Sequence, residues 1–218
     1  MRRIILLSSI ALLVLPGCKV SKVRDIIKDY DYKNSYQLIN ASTEPVDIHI
    51  GSHDNSGRAP NISDGKYRVG SLEAGQDSVS TKVKRDNIDY RVSVQSFQRL
   101  DKIGSNHLIY DVKNDDDQTV IAWQDNKTPR ISAFKKHSSD QSGVYRVRFF
   151  AVANGIEIKA GGISQLLEKG QPSGWFSLQN CKGEFSINGK ALDICQATAG
   201  QSFLLVIGPD KVLSMSRG

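Results

Sequence analysis

The sequence predicts an all-β protein, with two tandem antiparallel β-sandwich domains of immunoglobulin-like type behind an N-terminal signal segment and a short stem. Three observations carry this reading. Beyond residue 34, helical periodicity nearly disappears, and short alternating runs rich in Val, Ile, Tyr and Phe take its place. Gly, Asn, Asp and Ser separate these runs, as turns require. The chain also repeats itself in a fixed order.

The segments fall in sequence as follows. Residues 1–17 carry Met1-Arg2-Arg3 and then an apolar run from Ile4 to Leu15, the layout of a secretory signal peptide. That run is too short to remain as a spanning helix. Residues 18–34 form the stem, where Val23, Ile26, Ile27 and Tyr30 are spaced for one or two helical turns. The first sandwich is expected over residues 35–136, with strands at Tyr36–Asn40, Val46–Ile50, Tyr90–Val94 and Thr119–Trp123. The stretch from Lys135 to Gly143 is polar and reads as a linker. The second sandwich is expected over residues 143–218, with strands at Tyr145–Phe149 and Phe203–Ile207.

The repeat supports the tandem. Ser35–Ala41 matches Val144–Phe150 loosely, and Val46–Gly51 matches Gly155–Gly161 in alternation. Leu72-Glu73-Ala74-Gly75-Gln76 matches Leu167-Glu168-Lys169-Gly170-Gln171. Tyr90–Val94 then meets Phe185–Ile187, and Gln118–Ile121 meets Gln201–Leu204. The order is kept while the spacing shrinks, as shorter loops in the second copy require.

Two of the three cysteines, Cys181 and Cys195, flank an Asn188-Gly189 hairpin signal. A three-residue loop Ile187-Asn188-Gly189 sets Ser186 opposite Lys190 and Cys181 opposite Cys195. That register makes a disulfide easy, whereas a two-residue loop leaves the cysteines one position out. A bridge is most needed here, because a domain of about 75 residues buries a smaller fraction of its surface.

Cys18 directly follows Leu15-Pro16-Gly17. The four residues resemble a bacterial lipobox, although Pro16 stands where a small or β-branched residue is commoner. The resemblance implies cleavage before Cys18 and lipid on its thiol. The protein is then held to a membrane, since two or three acyl chains anchor stably. Lys19, in place of aspartate, implies sorting to the outer membrane in enteric-type bacteria. A second resemblance covers most of the first domain and, more weakly, the second. Asn40-Ala41-Ser42-Thr43-Glu44-Pro45-Val46 after an apolar strand, with Leu72-Glu73-Ala74-Gly75, is similar to a secreted bacterial β-sandwich module, domain of unknown function 4397. It implies a fold and a location, and no catalytic residues.

Net charge is +6, or about +4 once Arg2 and Arg3 leave, which suits mild attraction to an anionic envelope polymer. Lys19, Lys22, Arg24, Lys28 and Lys33 read as a solvated tether able to touch anionic headgroups. No basic stripe interleaved with aromatics points to nucleic acid. No cofactor, phosphate-loop, hydrolase-elbow or zinc-helix motif occurs. His49, His53 and Asp54 read as solvated polar groups more readily than as a metal cluster. Asp111, Asn114, Asp115, Asp116 and Asp117 read as a hairpin turn before a calcium loop. Trp123 and Trp175 are expected on strands, packed in sandwich cores. The function these features favour is non-enzymatic: a lipid-anchored envelope protein for binding, adhesion or structure. The alternative is an accessory lipoprotein that docks a larger envelope assembly. Blocking lipoprotein signal peptidase with globomycin should accumulate the uncleaved precursor. Cys18→Ser should abolish palmitate labelling, and a variant still labelled overturns the lipobox reading.

Overall fold

The structure, a computed structural model, describes residues 32–54, 56–76, 79–85 and 91–218. Cys18 and the stem up to residue 31 lie outside the described residues. The first sandwich holds β1 (Tyr32–Asn40), β2 (Val46–Ser52), β3 (Arg68–Leu72), β4 (Val79–Arg85), β5 (Arg91–Gln98), β6 (Leu108–Asp111), β7 (Gln118–Asp125) and β8 (Thr128–Lys135). The second holds β9 (Tyr145–Ala151), β10 (Glu157–Ala160), β11 (Ile163–Leu166), β12 (Phe176–Leu178), β13 (Lys182–Ile187), β14 (Lys190–Asp193), β15 (Ser202–Ile207) and β16 (Val212–Arg217). A 3-10 turn, Gly65–Tyr67, precedes β3. Because β1 begins at Tyr32, the last three residues expected in the stem belong instead to the first strand.

The repeat in sequence becomes a repeat in topology. The first sandwich pairs a sheet of order β4-β1-β7-β8 with one of order β3-β2-β5-β6. The second pairs β12-β9-β15-β16 with β11-β10-β13-β14, the same order eight strands later. Each copy opens with a strand lying parallel to its seventh, β1 on β7 and β9 on β15. The matched segments occupy equivalent places, and Leu72, the last residue of β3, and Leu167, the first residue after β11, are both buried.

Each sandwich has its own apolar core. Tyr36, Leu38, Ile48, Val92, Val94 and Val120 fill the first. Val147, Phe149, Ile158, Phe185, Ile187 and Leu205 fill the second. A third cluster joins them. Ile39, Ile121 and Trp123 of the first β1-containing sheet pack on Phe150, Leu204 and Val206 of the β9-containing sheet. The central strands of these two sheets, the inner ones, are therefore buried on both faces. Strands of that kind read as continuous apolar runs, not alternating ones. All six residues of β15 are buried, and so are the first six of β7.

Polar contacts lock the junction. Trp123 Nε1 donates to Ser132 Oγ at 3.2 Å, and that hydroxyl donates to the Gly170 carbonyl at 3.2 Å. A Cβ at Gly170 would sit 3.1 Å from the Trp123 ring, so the glycine permits the close approach. Lys169 pairs with Asp125 at 2.9 Å, and Gln37 Nε2 donates to the Arg217 carbonyl at 3.0 Å. The segment expected as a bare linker is also tied down. Ser139 N donates to Ser202 Oγ, and Asp140 accepts from both the backbone and the hydroxyl of Ser202. Tyr32–Gly218 clusters as one compact unit.

The structure forms the Cys181–Cys195 bridge, with Cα atoms 4.8 Å apart, but by another register than the expected one. Ile187 pairs with Lys190 and Ser186 with Ala191, so the loop is the two-residue Asn188-Gly189. Both residues have positive φ, 49° and 79°, as a primed hairpin turn requires. A two-residue bulge then carries the ladder past the expected pairing, so Cys181 stands beside Ile194, whose N–H donates to its carbonyl at 2.9 Å, and the bridge runs diagonally to Cys195. Phe185 pairs with Leu192 and the next pair is Lys182–Asp193, leaving Gly183 and Glu184 outside the ladder. The Glu184 carboxylate, swung out by the bulge, accepts from Gln179 N and Asn180 N. The cysteines should resist alkylation until reduced. Cys195→Ser should cost about 2–5 kcal/mol in urea unfolding of the oxidised protein. Alkylation of either cysteine without reductant would contradict the bridge.

Candidate docking surface

The polar motifs of the first sandwich hold its loops. Along β2, Val46, Ile48 and Ile50 face the core, which turns Asp47 and His49 to the outer face. His49 and His53 were expected in solvent, yet they are only 6% and 4% exposed. The long connection from His53 to Tyr67 covers them. Pro60 and Tyr67 lie so close to Gly51 that a Cβ there would meet both below 3 Å. His49 Nδ1 lies 2.9 Å from the Ile62 carbonyl, which can only accept, so Nδ1 carries the proton. His53 donates likewise from Nδ1 to the Gly57 carbonyl, and its Nε2 accepts from Ser93 Oγ at 2.9 Å. Asp54 accepts from Ser56 Oγ, Arg58 N and Ser56 N, and these bonds hold its carboxyl below the usual range. Among the described residues no group of three or more His, Cys, Asp or Glu is placed to hold a metal.

The acidic run is also structural. Asp116 pairs with Lys135 at 2.6 Å, and Asp111 with Arg91 at 3.4 Å. Asn114 Oδ1 accepts from Lys33 N, while Asn34 Nδ2 donates to the carbonyls of Lys113 and Asp116. Asp111 and Asp116 thus turn toward separate cations, and Asp115 accepts from Asn114 Nδ2. Trp123 is buried on β7 but faces the junction, not a sandwich core. Trp175 corrects the sequence expectation further. It lies just before β12 and is half-buried, with its ring over Arg148.

The end of the first sandwich opposite Tyr32 is built differently. Asn40 and Arg99 tie three loops together there. Asn40 Nδ2 donates to the carbonyls of Glu44 and Glu73, and its Oδ1 accepts from Ser42 N and Oγ. The loop from Asn40 to Asp47 is therefore engaged in closing the fold. Arg99 N donates to the Pro45 carbonyl, and its guanidinium meets Glu73 at 2.6 Å and Asp47 at 3.6 Å. Gln98 N donates to the Ile103 carbonyl at 2.8 Å, which closes residues 99–102 into a tight turn. Lys102 takes positive φ, 54°, at the apex. This rigid turn leaves Leu100 72% exposed and Ile103 50% exposed. Beside it a cleft of about 370 Å³ is lined by Asp47, His49, Ser63, Phe97, Gln98, Arg99 and Lys102. His49 meets Phe97 edge-to-face at 4.8 Å. The arrangement offers apolar contact at Phe97 with a polar rim, in which Asp47 is engaged by Ser71, Arg68 and Arg99 and His49 by the Ile62 carbonyl. No pattern of alternation marks Leu100 and Ile103 as a surface, and only the turn geometry shows it.

No protein-family model matches the chain, so the resemblance to domain of unknown function 4397 is carried no further. No curated protein matches it either. Among solved structures the chain is similar to the T6SS lipoprotein TssJ1 from Pseudomonas aeruginosa. The identity is 12%, the alignment covers 49% of this chain and 98% of that one, and the TM-score is 0.32. A likeness of that size carries no argument about what this chain binds.

Proposed function

We propose that this chain is a non-enzymatic lipoprotein of the bacterial envelope, anchored through lipid on Cys18, that docks a partner protein through the end of its first sandwich. The observation that carries the docking role is the rigid turn presenting Leu100 and Ile103, 72% and 50% exposed, beside the Phe97 cleft. Each such side chain contributes about 1.5–3 kcal/mol when fully buried. Two alone give a weak complex, so the cleft has to complete the interface. A stable interface covers roughly 800 Å² per partner. Orientation supports the reading. β1 starts at Tyr32, where the tether enters, and runs to Asn40 at the end that carries the turn. A photo-crosslinking residue at position 100 or 103, in cells with Cys18 intact, should yield one discrete protein adduct. The same residue at Ser164, on the outer edge of the second sandwich, should yield none. No adduct, or the same ladder from all three positions, overturns the docking role.

A further inference from the structure

Arg148 stands on β9 with Val147 and Phe149 of the second core on either side of it in sequence, and its side chain points the other way, into the junction. The residue is 6% exposed. Its guanidinium carbon lies 4.8 Å from the Phe134 ring centroid and 5.5 Å from that of Trp175. These rings come from the two different sandwiches. An arginine at this depth is ordinarily paired with an acid. Here none of the described residues accepts a hydrogen bond from it or forms an ion pair with it. Burial, with no carboxylate to offset it, depresses its pKa, yet a guanidinium does not deprotonate in a protein. The nitrogens are not among the buried atoms sealed from solvent without a partner, so water reaches them.

Two further observations favour a ligand over a purely structural cation. The repeat supplies an internal comparison. Ile39 pairs with Ile121 in the first copy as Arg148 pairs with Leu204 in the second. The fold fills this inner-sheet position with an aliphatic side chain and does not require a charge. The second observation is Arg146, two residues earlier on the same face. It is held by the hydroxyls of Ser139 and Ser177 and has no carboxylate partner. Two like charges lie side by side, about 7 Å apart along a strand, and the nearby Asp140 carboxylate is engaged by Ser202 and Arg217.

We propose that Arg148, with Arg146 beside it, receives an oxyanion, a carboxylate or phosphate group, in the aromatic slot between the two sandwiches. The planar fork of a guanidinium suits two parallel bonds to such a group. The Phe134 and Trp175 rings hold the fork flat and keep bulk water from its faces. The site is separate from the docking turn, so its test is independent of the partner.

The mature protein should be titrated with inorganic phosphate and, separately, acetate against chloride at matched ionic strength. The readouts are the Arg Nε–H and Trp175 indole N–H resonances and Tm. We expect saturable shifts at both resonances with one or both oxyanions, and a rise in Tm of about 2–4 °C near saturation. A response to acetate alone marks a carboxylate site, and a response to phosphate alone marks a phosphate site. Arg148→Met should abolish the Trp175 shift and melt no lower than the wild type in chloride, since it removes an uncompensated charge. Arg148→Lys should weaken the anion at least tenfold. Absence of saturable shifts overturns the proposal. So does an Arg148→Met variant that keeps the Trp175 response, or one that melts lower while oxyanions leave the wild type unchanged. In the last case Arg148 is only a cation–π tie.

Discussion

The burial of the central strands of the two inner sheets on both faces governs the rest of the structure. Each inner sheet has a core on one side and the other inner sheet on the opposite side. Ile39, Ile121 and Trp123 meet Phe150, Leu204 and Val206 across the gap. Each of these side chains contributes about 1.5–3 kcal/mol when taken fully from water. The six together are comparable with the whole stability of a small domain. The small second sandwich therefore does not rely on its disulfide alone. It shares a third apolar layer with the first sandwich.

This constraint explains where the polar residues go. The central strands of the inner sheets have little contact with solvent, so a charged or polar side chain that points into the junction either makes a contact across it or stands as an exception. Ser132, Gln37 and Asp125 are junction contacts. Arg148 is the exception. The outer sheets face away from the junction, and the first copy covers its outer sheet with the long connection that buries His49 and His53. The second copy replaces that connection with the Gly161-Gly162 turn, and its third strand stays exposed along its whole length. The differences in how the outer sheets are covered thus lie in loops, while the strand order is common to both.

Much of this was legible in the sequence. Alternation and turn chemistry located the strands, and the loose repeat predicted equivalent positions for Leu72 and Leu167. The stacking of the sandwiches was missed, although its signal was present. Val120–Trp123 and Phe203–Ile207 are continuous apolar runs, and a run of that kind means a strand buried twice. Read that way, Arg148 inside Val147–Ala151 would have stood out as a charge in a doubly buried strand. The cysteine register failed for a local reason. Period-two counting cannot foresee the bulge at Gly183 and Glu184 that shifts the ladder. The docking turn was not legible at all, since its exposure depends on the Arg99 and Gln98 bonds to distant segments.

The central claim is that the buried junction makes Tyr32–Gly218 a single cooperative unit. Equilibrium urea unfolding of the mature protein, followed by far-ultraviolet circular dichroism and tryptophan fluorescence, tests it most directly. The account predicts one transition, coincident by both probes, with an m-value suited to all sixteen strands. Ile121→Asp, which places a charge in the junction, should lower the midpoint of the entire transition. Two separate transitions in the wild type, one of them untouched by Ile121→Asp, would contradict the claim and leave two independent sandwiches.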